Sequence, residues 1–336
     1  MTGSALANIW FLLLALELGL FVGLDGADLG IGVLSLFARD RKQRSLMMAS
    51  IGPVWDANET WLVIAGGTLF GAFPMVYSAA LAALYMPIML MLFGFIFRAV
   101  ALEFRIHSDR KRFWDIAFGV GSLSAIFGQG FAFGGLMSGL KVRDGVFAGG
   151  LWDWFNGMSL LVAVGVVFGY SLMGSSYLIK KTNGRLQERA RLYLIIASFS
   201  SFILLIAAIS MLFLLHAPML HKWSSGAHKF YAAVIVLMEV LSFSLLLMSA
   251  FRRKNDRMPY LWSNAVFIVT YIALFVWVYP YILPSTVTAK EAAASGLTLT
   301  FMIFGVGILI PVILVYNVYV RRVFKGKVNL YGDDMY

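Results

Sequence analysis

The sequence predicts an all-α, polytopic membrane protein with nine transmembrane helices, on three observations. The 336 residues are 60% hydrophobic and only 13% charged, where soluble domains carry roughly 25% charged and about 45–50% apolar residues. Mean hydropathy is +0.82. Uncharged stretches repeatedly reach the roughly 20 residues that cross a hydrocarbon core, and the basic residues fall in short connections between them. A soluble helical protein would need polar helix faces, which these segments lack.

Taken in order, the first span covers 7–37. No charged side chain precedes Glu17, so a permanent helix is expected there instead of a cleaved signal peptide with a basic start. The second covers 46–72 and holds Pro53, which lacks an N–H and clashes with the preceding turn, so a kink is expected. The remaining spans are 76–103, 113–138, 156–179, 190–215, 229–251, 260–281 and 297–320. Two spans exceed what a bilayer needs, so tilt or protrusion is expected. Residues 1–336 thus form a single transmembrane domain. The connections after spans 1, 3, 5 and 7, with the tail, hold 21 of the 27 Lys and Arg residues; the opposite loops hold five, and only Arg98 lies inside a span. By the positive-inside rule the N-terminus faces outward and the C-terminus the cytoplasm, which an odd number of spans satisfies. The net charge of +10 therefore reflects membrane topology, and no nucleic-acid partner is expected. The turn-rich stretch YILPSTVTAKEAAASG is expected to cap the outer surface.

Ionisable groups inside spans cost at least about 2.5–3.5 kcal/mol each, so each needs a reason. The first span carries Glu17, Asp25 and Asp28 in ELGLFVGLDGADLGIG. Asp25 and Asp28 are three apart and share a helix face. Glu17 is three turns from Asp28 and nearly aligned with it. Glycines along the same helix allow close helix approach, so the acids should face a packed interior. The second span carries Asp56, Asn58 and Glu59 in GPVWDANETW. A rise of about 1.5 Å per residue puts Asp28, Asp25, Asp56, Glu59 and Arg98 between roughly 10 and 20 Å from the cytoplasmic helix ends. Glu103 and Asp115 stand near the cytoplasmic mouth. Two interpretations follow. One is a structural ion-pair knot, with Arg98 neutralising Asp28 or Asp56. The other is a proton-conducting or cation-binding cluster, favoured for Asp25, Asp56 and Glu59 because the acids outnumber the arginine. Glu239, alone in the seventh span, is expected to bond to neighbouring backbone.

Several chemistries are missing. The chain has no cysteine, which removes disulfides, iron–sulfur clusters and thiolate haem ligation. His107 lies in a basic connection. His216, His221 and His228 lie at or beyond outer helix ends, without metal-ligand spacing. No nucleotide-binding or hydrolase motif occurs in a credible setting, so no catalytic, cofactor-binding or metal residue is assigned.

The stretches GLDGADLGIG (Gly23–Gly32), GPVWDANETWLVIAGGTLFGAFPMVY (Gly52–Tyr77), FRAVALEFR (Phe97–Arg105), GSSYL (Gly174–Leu178) and YPYILPST (Tyr279–Thr286) resemble, in order, subunit II of the cytochrome bd-type quinol oxidases, including the cyanide-insensitive branch. The resemblance implies nine helices as two four-helix bundles plus one peripheral helix. It implies a heterodimer in the bacterial cytoplasmic membrane with a haem-bearing subunit I. Haems b, with haem d in most members, would sit in that partner, as would quinol oxidation, and none in this chain. It also allows a small single-helix accessory subunit, a structural quinone and bound membrane lipid. The complex would reduce O2 to water with cytoplasmic protons. By the same resemblance Asp25 and Asp56 fall on acids of proton delivery, Asp28 and Arg98 on a charge-pair or cation site, and Trp55 on a tryptophan packed towards the cofactor region. Glu103 falls where some members have Asp, and Glu59 where others have Gln. The implied relay runs from Glu103 and Asp115 through Asp28 and Asp25 to Asp56 and Glu59. The alternatives are a proton-coupled secondary transporter or cation channel, and a scaffold whose buried charges only fix helix register.

Overall fold

The chain was analysed as a computed structural model that describes residues 3–143, 145–216, 223, 226–284 and 286–328. Twelve helices and two short hairpins follow one another among them. α1 (Gly3–Ser35) is the first span. α2 (Arg41–Ile51) is short, and Asp40 caps it by accepting from the Gln43 N–H at 2.8 Å. α3 (Trp55–Ala72), α4 (Pro74–Ala83), α5 (Tyr85–His107) and α6 (Lys111–Met137) come next. The hairpin of β1 (Val142–Arg143) and β2 (Val146–Phe147) precedes α7 (Gly157–Lys181) and α8 (Gly184–Leu215). Asn156 and Ser159 form a reciprocal capping box at the start of α7. α9 (Gly226–Arg252), α10 (Met258–Val278), the hairpin of β3 (Tyr281–Leu283) and β4 (Val287–Thr288), the single turn α11 (Ala289–Ala292) and α12 (Gly296–Val323) complete the order.

Among the described residues, eight helices are long and apolar enough to cross a membrane, and α3 with α4, bent by 120°, makes a ninth if counted as one span. The all-α polytopic fold expected from sequence is the one observed. α1, α3, α5 and α6 form one set and α7 to α10 a second, in which α7 packs on α8 and α10, and α9 on α8 and α10. α1 and α6 join the sets through α7, and α12 lies outside against α3 and α1. The seam between α1 and α7 is close because glycines line it. A Cβ on Gly30 would run into the Tyr170 carbonyl, and one on Gly174 would come within 2.6 Å of the Ile31 nitrogen.

Two expected spans are corrected. The run 46–72 is not one kinked helix. It breaks fully over residues 52–54, between α2 and α3. Pro53 offers no N–H to the ladder, and Val54 (φ −126°, ψ −19°) stands outside both helices. The run 76–103 also divides. Pro87, in the first turn of α5, cannot donate to the Ala83 carbonyl, and the chain turns at Leu84 (φ −109°, ψ 21°). The sharp bend between α3 and α4 falls at Phe73, with Pro74 opening the next helix.

The stretch expected to cap the outer surface covers one end of the helices. β3, β4 and α11 pack over Leu6, Trp10, Phe73 and Leu299 in an apolar cluster. The Ala294 N–H reaches the Ala72 carbonyl at 2.9 Å, and the Trp10 indole donates to the Leu299 carbonyl at 3.1 Å.

Candidate functional site

α1 and α3 run antiparallel, and two polar contacts set their register. Asn58 Nδ2 donates to Asp28 Oδ2 at 2.7 Å, and Thr68 Oγ1 donates to Glu17 Oε1 at 2.9 Å. Asn58 and Thr68 are ten residues apart and Glu17 and Asp28 eleven, so the two helices align with matched rise. Arg98 of α5 then enters between them. Its Nη1 lies 2.8 Å from Asp25 Oδ1 and its Nη2 2.7 Å from Glu59 Oε2. One guanidinium therefore ties three spans through charge-assisted bonds, the strong kind.

Burial is graded across this cluster. Arg98 and Asp25 are fully buried and Asp28 is 1% exposed, whereas the Glu59 side chain is 23% exposed. Asp56, one turn earlier on α3, is exposed on the surface of the chain. Gly66 and Gly67 lie on the same open face, with nothing within 4 Å of an added Cβ, beside exposed Val63 and Phe70. Asp25 Oδ2 and Arg98 Nε have no hydrogen-bond partner among the described residues.

The pairing differs from expectation. Arg98 bonds neither Asp28 nor Asp56. It reaches Asp25 and Glu59 because α5 approaches the side of α1 that carries Asp25. Asp28 instead takes the Asn58 amide, whose oxygen accepts from Arg321 Nη2 of α12 at 3.3 Å. Asp115 is no open mouth: it is 5% exposed and bonded to Arg105 Nε at 2.5 Å, with Arg44 at 3.9 Å. Arg105 also holds Ser45 of α2 at 3.1 Å. Glu103, by contrast, is exposed on α5. Trp55 is half-buried against the main apolar cluster. Glu239 bonds the Thr270 hydroxyl at 2.8 Å, a side chain and not the expected backbone, because α10 packs directly on α9.

Sequence reasoning missed Asn58, Thr68, Arg105 and Arg321 as partners. The matched spacings of Asn58–Thr68 and Glu17–Asp28 were the available signal for the first two. No pattern in one sequence links Arg321 to Asn58, 263 positions apart.

Among the described residues, no group of three or more His, Asp or Glu side chains is arranged to hold a metal ion. The imidazole of His216 lies 2.9 Å from the Met137 carbonyl and edge-on to Trp277; His221 is outside the described residues.

Fold and site define a polytopic membrane protein with a buried carboxylate–guanidinium cluster on α1, α3 and α5 beside an open α3 face that carries Asp56, Gly66 and Gly67. The family profile described as cytochrome bd terminal oxidase subunit II matches residues 6–324, and the chain belongs to that family. It is 27% identical to the cytochrome bd-I ubiquinol oxidase subunit 2 of Escherichia coli K12, over 97% of this chain and 96% of that one. It is equally 27% identical to the cytochrome bd ubiquinol oxidase subunit 2 of Bacillus subtilis 168, over 97% and 98%. The fold matches a chain of the bd oxidase structure from Geobacillus thermodenitrificans, with a TM-score of 0.74 at 16% identity, covering 95% of this chain and 99% of that one.

Proposed function

We propose that the chain is the non-haem subunit of a quinol:O2 oxidoreductase of the bacterial cytoplasmic membrane. In this proposal it supports assembly and passes cytoplasmic protons to the oxygen-reducing haem of a subunit I partner. The observation that carries it is the graded cluster. Fully buried Asp25 and Asp28 lead to half-open Glu59 and then to Asp56, exposed on a spanning helix. A carboxylate facing hydrocarbon is costly, so the α3 face with Asp56, Gly66 and Gly67 is assigned to the partner. Glycines there let a second helix approach closely.

Within this chain, Asn58 orients Asp28 towards α3, and Arg98 holds the Asp25 and Glu59 carboxylates at fixed separation. Protons would enter beside exposed Glu103 and leave at Asp56, with water bridging gaps too long for direct bonds. Asp115, paired with Arg105 as Asp25 and Glu59 are with Arg98, keeps its place with Glu103 at the entry of the relay. The N-terminus would face outward, in keeping with the basic residues at the opposite helix ends. The family assignment favours this role over a transporter or channel.

The test is Asp56→Asn in the intact complex. Quinol oxidase turnover should fall about tenfold, equivalent to about 1.4 kcal/mol in barrier, while haem content stays unchanged. Full turnover would remove Asp56 from the path. Loss of haem together with turnover would assign the residue to assembly.

A further inference from the structure

The basic ends of α7, α10 and α12 meet in a cluster that touches the acid centre only through Arg321, whose Nη2 donates to Asn58 at 3.3 Å. Lys180 Nζ stands 4.4 Å from the centroid of the Tyr260 ring and 5.8 Å from that of Tyr177. The two rings meet edge to face at 5.3 Å. Arg321 Nη1 reaches the Tyr260 hydroxyl at 3.5 Å, and its Nε is buried without a hydrogen-bond partner among the described residues. Lys181 Nζ lies 5.8 Å from the Tyr177 ring and donates to the Phe324 carbonyl at 2.6 Å. The like charges of Lys181, Arg321 and Arg257 all bear on Lys180.

No carboxylate among the described residues is within ion-pair distance of these four cations. The nearby Asp256 is already taken by Arg191 at 2.7 Å and Lys327 at 2.6 Å. Aromatic faces attract an ammonium but carry no net charge. Arg321 is partly balanced by the charge of Asp28 across the shared Asn58 amide, so Lys180, Lys181 and Arg257 are the cations that lack an anion among the described residues. Around them the surface is greasy: Met258 and Leu261 of α10 and Tyr319 and Val323 of α12 are exposed. A basic cluster at the ends of spanning helices that also expose apolar side chains suits an acidic headgroup whose acyl chains lie along the helices.

We propose that Lys180, Lys181, Arg257 and Arg321 bind the phosphodiester headgroup of an anionic membrane lipid, with Tyr177 and Tyr260 as the floor of the site. This inference does not depend on the relay. A soluble phosphate offers the same oxygens, and the chain's own Asp333 and Asp334, outside the described residues, offer carboxylates; the apolar flanks favour lipid.

The experiment uses the purified complex, stripped of loosely held lipid, with native mass spectrometry to count bound phosphatidylglycerol during a titration. The wild-type complex should hold one more phosphatidylglycerol tightly than the Lys180→Gln/Arg257→Gln complex, whose affinity at this site should be roughly 30-fold weaker. Phosphatidylcholine should not fill the site, and millimolar inorganic phosphate should not empty it. Lys180→Arg should retain binding, which separates lost charge from misfolding. Equal retention of the two lipids, or no change in the double variant, overturns the proposal. Competition by phosphate alone would assign the site to a soluble anion. A gain of phosphatidylglycerol in Asp333→Asn/Asp334→Asn would show the tail as the occupant; either result also overturns it.

Discussion

The two sets of four spans place acids in the membrane, but in different ways. Each contains a glutamate whose Oε1 accepts from a threonine on an adjacent helix: Glu17 from Thr68 at 2.9 Å and Glu239 from Thr270 at 2.8 Å. In each the second oxygen has no partner among the described residues. Only the first set adds Asp25, Asp28 and Glu59 around Arg98. A lone carboxyl group needs no more than a hydroxyl on the next helix. Three more acids need a fixed cation, and that cation ties α1, α3 and α5 at one point. Charge is thus concentrated where three helices are held in register.

The largest expected effect breaks this asymmetry at its centre. Arg98→Met leaves Asp25 and Glu59 without a counter-ion, and removing one partner of a buried pair costs about 3–5 kcal/mol. The melting temperature of the complex should drop steeply, and subunit I should be lost on purification. An unchanged melt would mean that the acids are satisfied without the arginine. Next, Gly30→Ala tests whether the two sets depend on their glycine seam. Its Cβ meets the Tyr170 backbone, which cannot yield as a side chain would, and overpacking of this kind costs about 1–3 kcal/mol. Thr270→Val sharpens the contrast from the other side. It removes the hydrogen bond to Glu239 and should cost about 0.6 kcal/mol, the average for polar contacts between membrane helices; a loss as large as that of Arg98→Met would make the two sets equivalent.

The smallest effect lies outside the membrane. Burial pushes the Asp256 carboxyl up, but hydrogen bonds from Lys327 and Gln187 and the charges of Lys327 and Arg191 outweigh it and hold it below 3.8. Because its folded value is depressed, its contribution is complete above the ordinary carboxylate range and is lost as pH falls through the depressed value. Limited proteolysis after Phe324 should therefore be pH-independent near neutrality, accelerate only in strong acid, and be faster at neutral pH in Asp256→Asn.

Much of this was legible in the sequence, because the bilayer imposes a coarse code. The all-α spans, a cap over one end of the helices and the buried acids of α1 follow from hydropathy and spacing. Helix breaks were harder. Pro53 announced one, but whether a proline kinks a helix or ends it depends on what surrounds it, here the packing of Met47, Met48 and Ile51. Partner choice was hardest. Arg98 faced several acids at similar depth, and only the rotation of α5 about its axis selects Asp25 and Glu59 over Asp28. Rotation leaves no trace in depth arithmetic.

The bond from Arg321 to Asn58 also has a temporal side. The ribosome must extend the chain 263 residues past Asn58 before that guanidinium exists, so the amide shared with Asp28 gains its last neighbour only when the ninth span is inserted. A nascent chain stalled before that moment carries an acid centre with one wall missing, open to whatever quality-control protease patrols the bilayer.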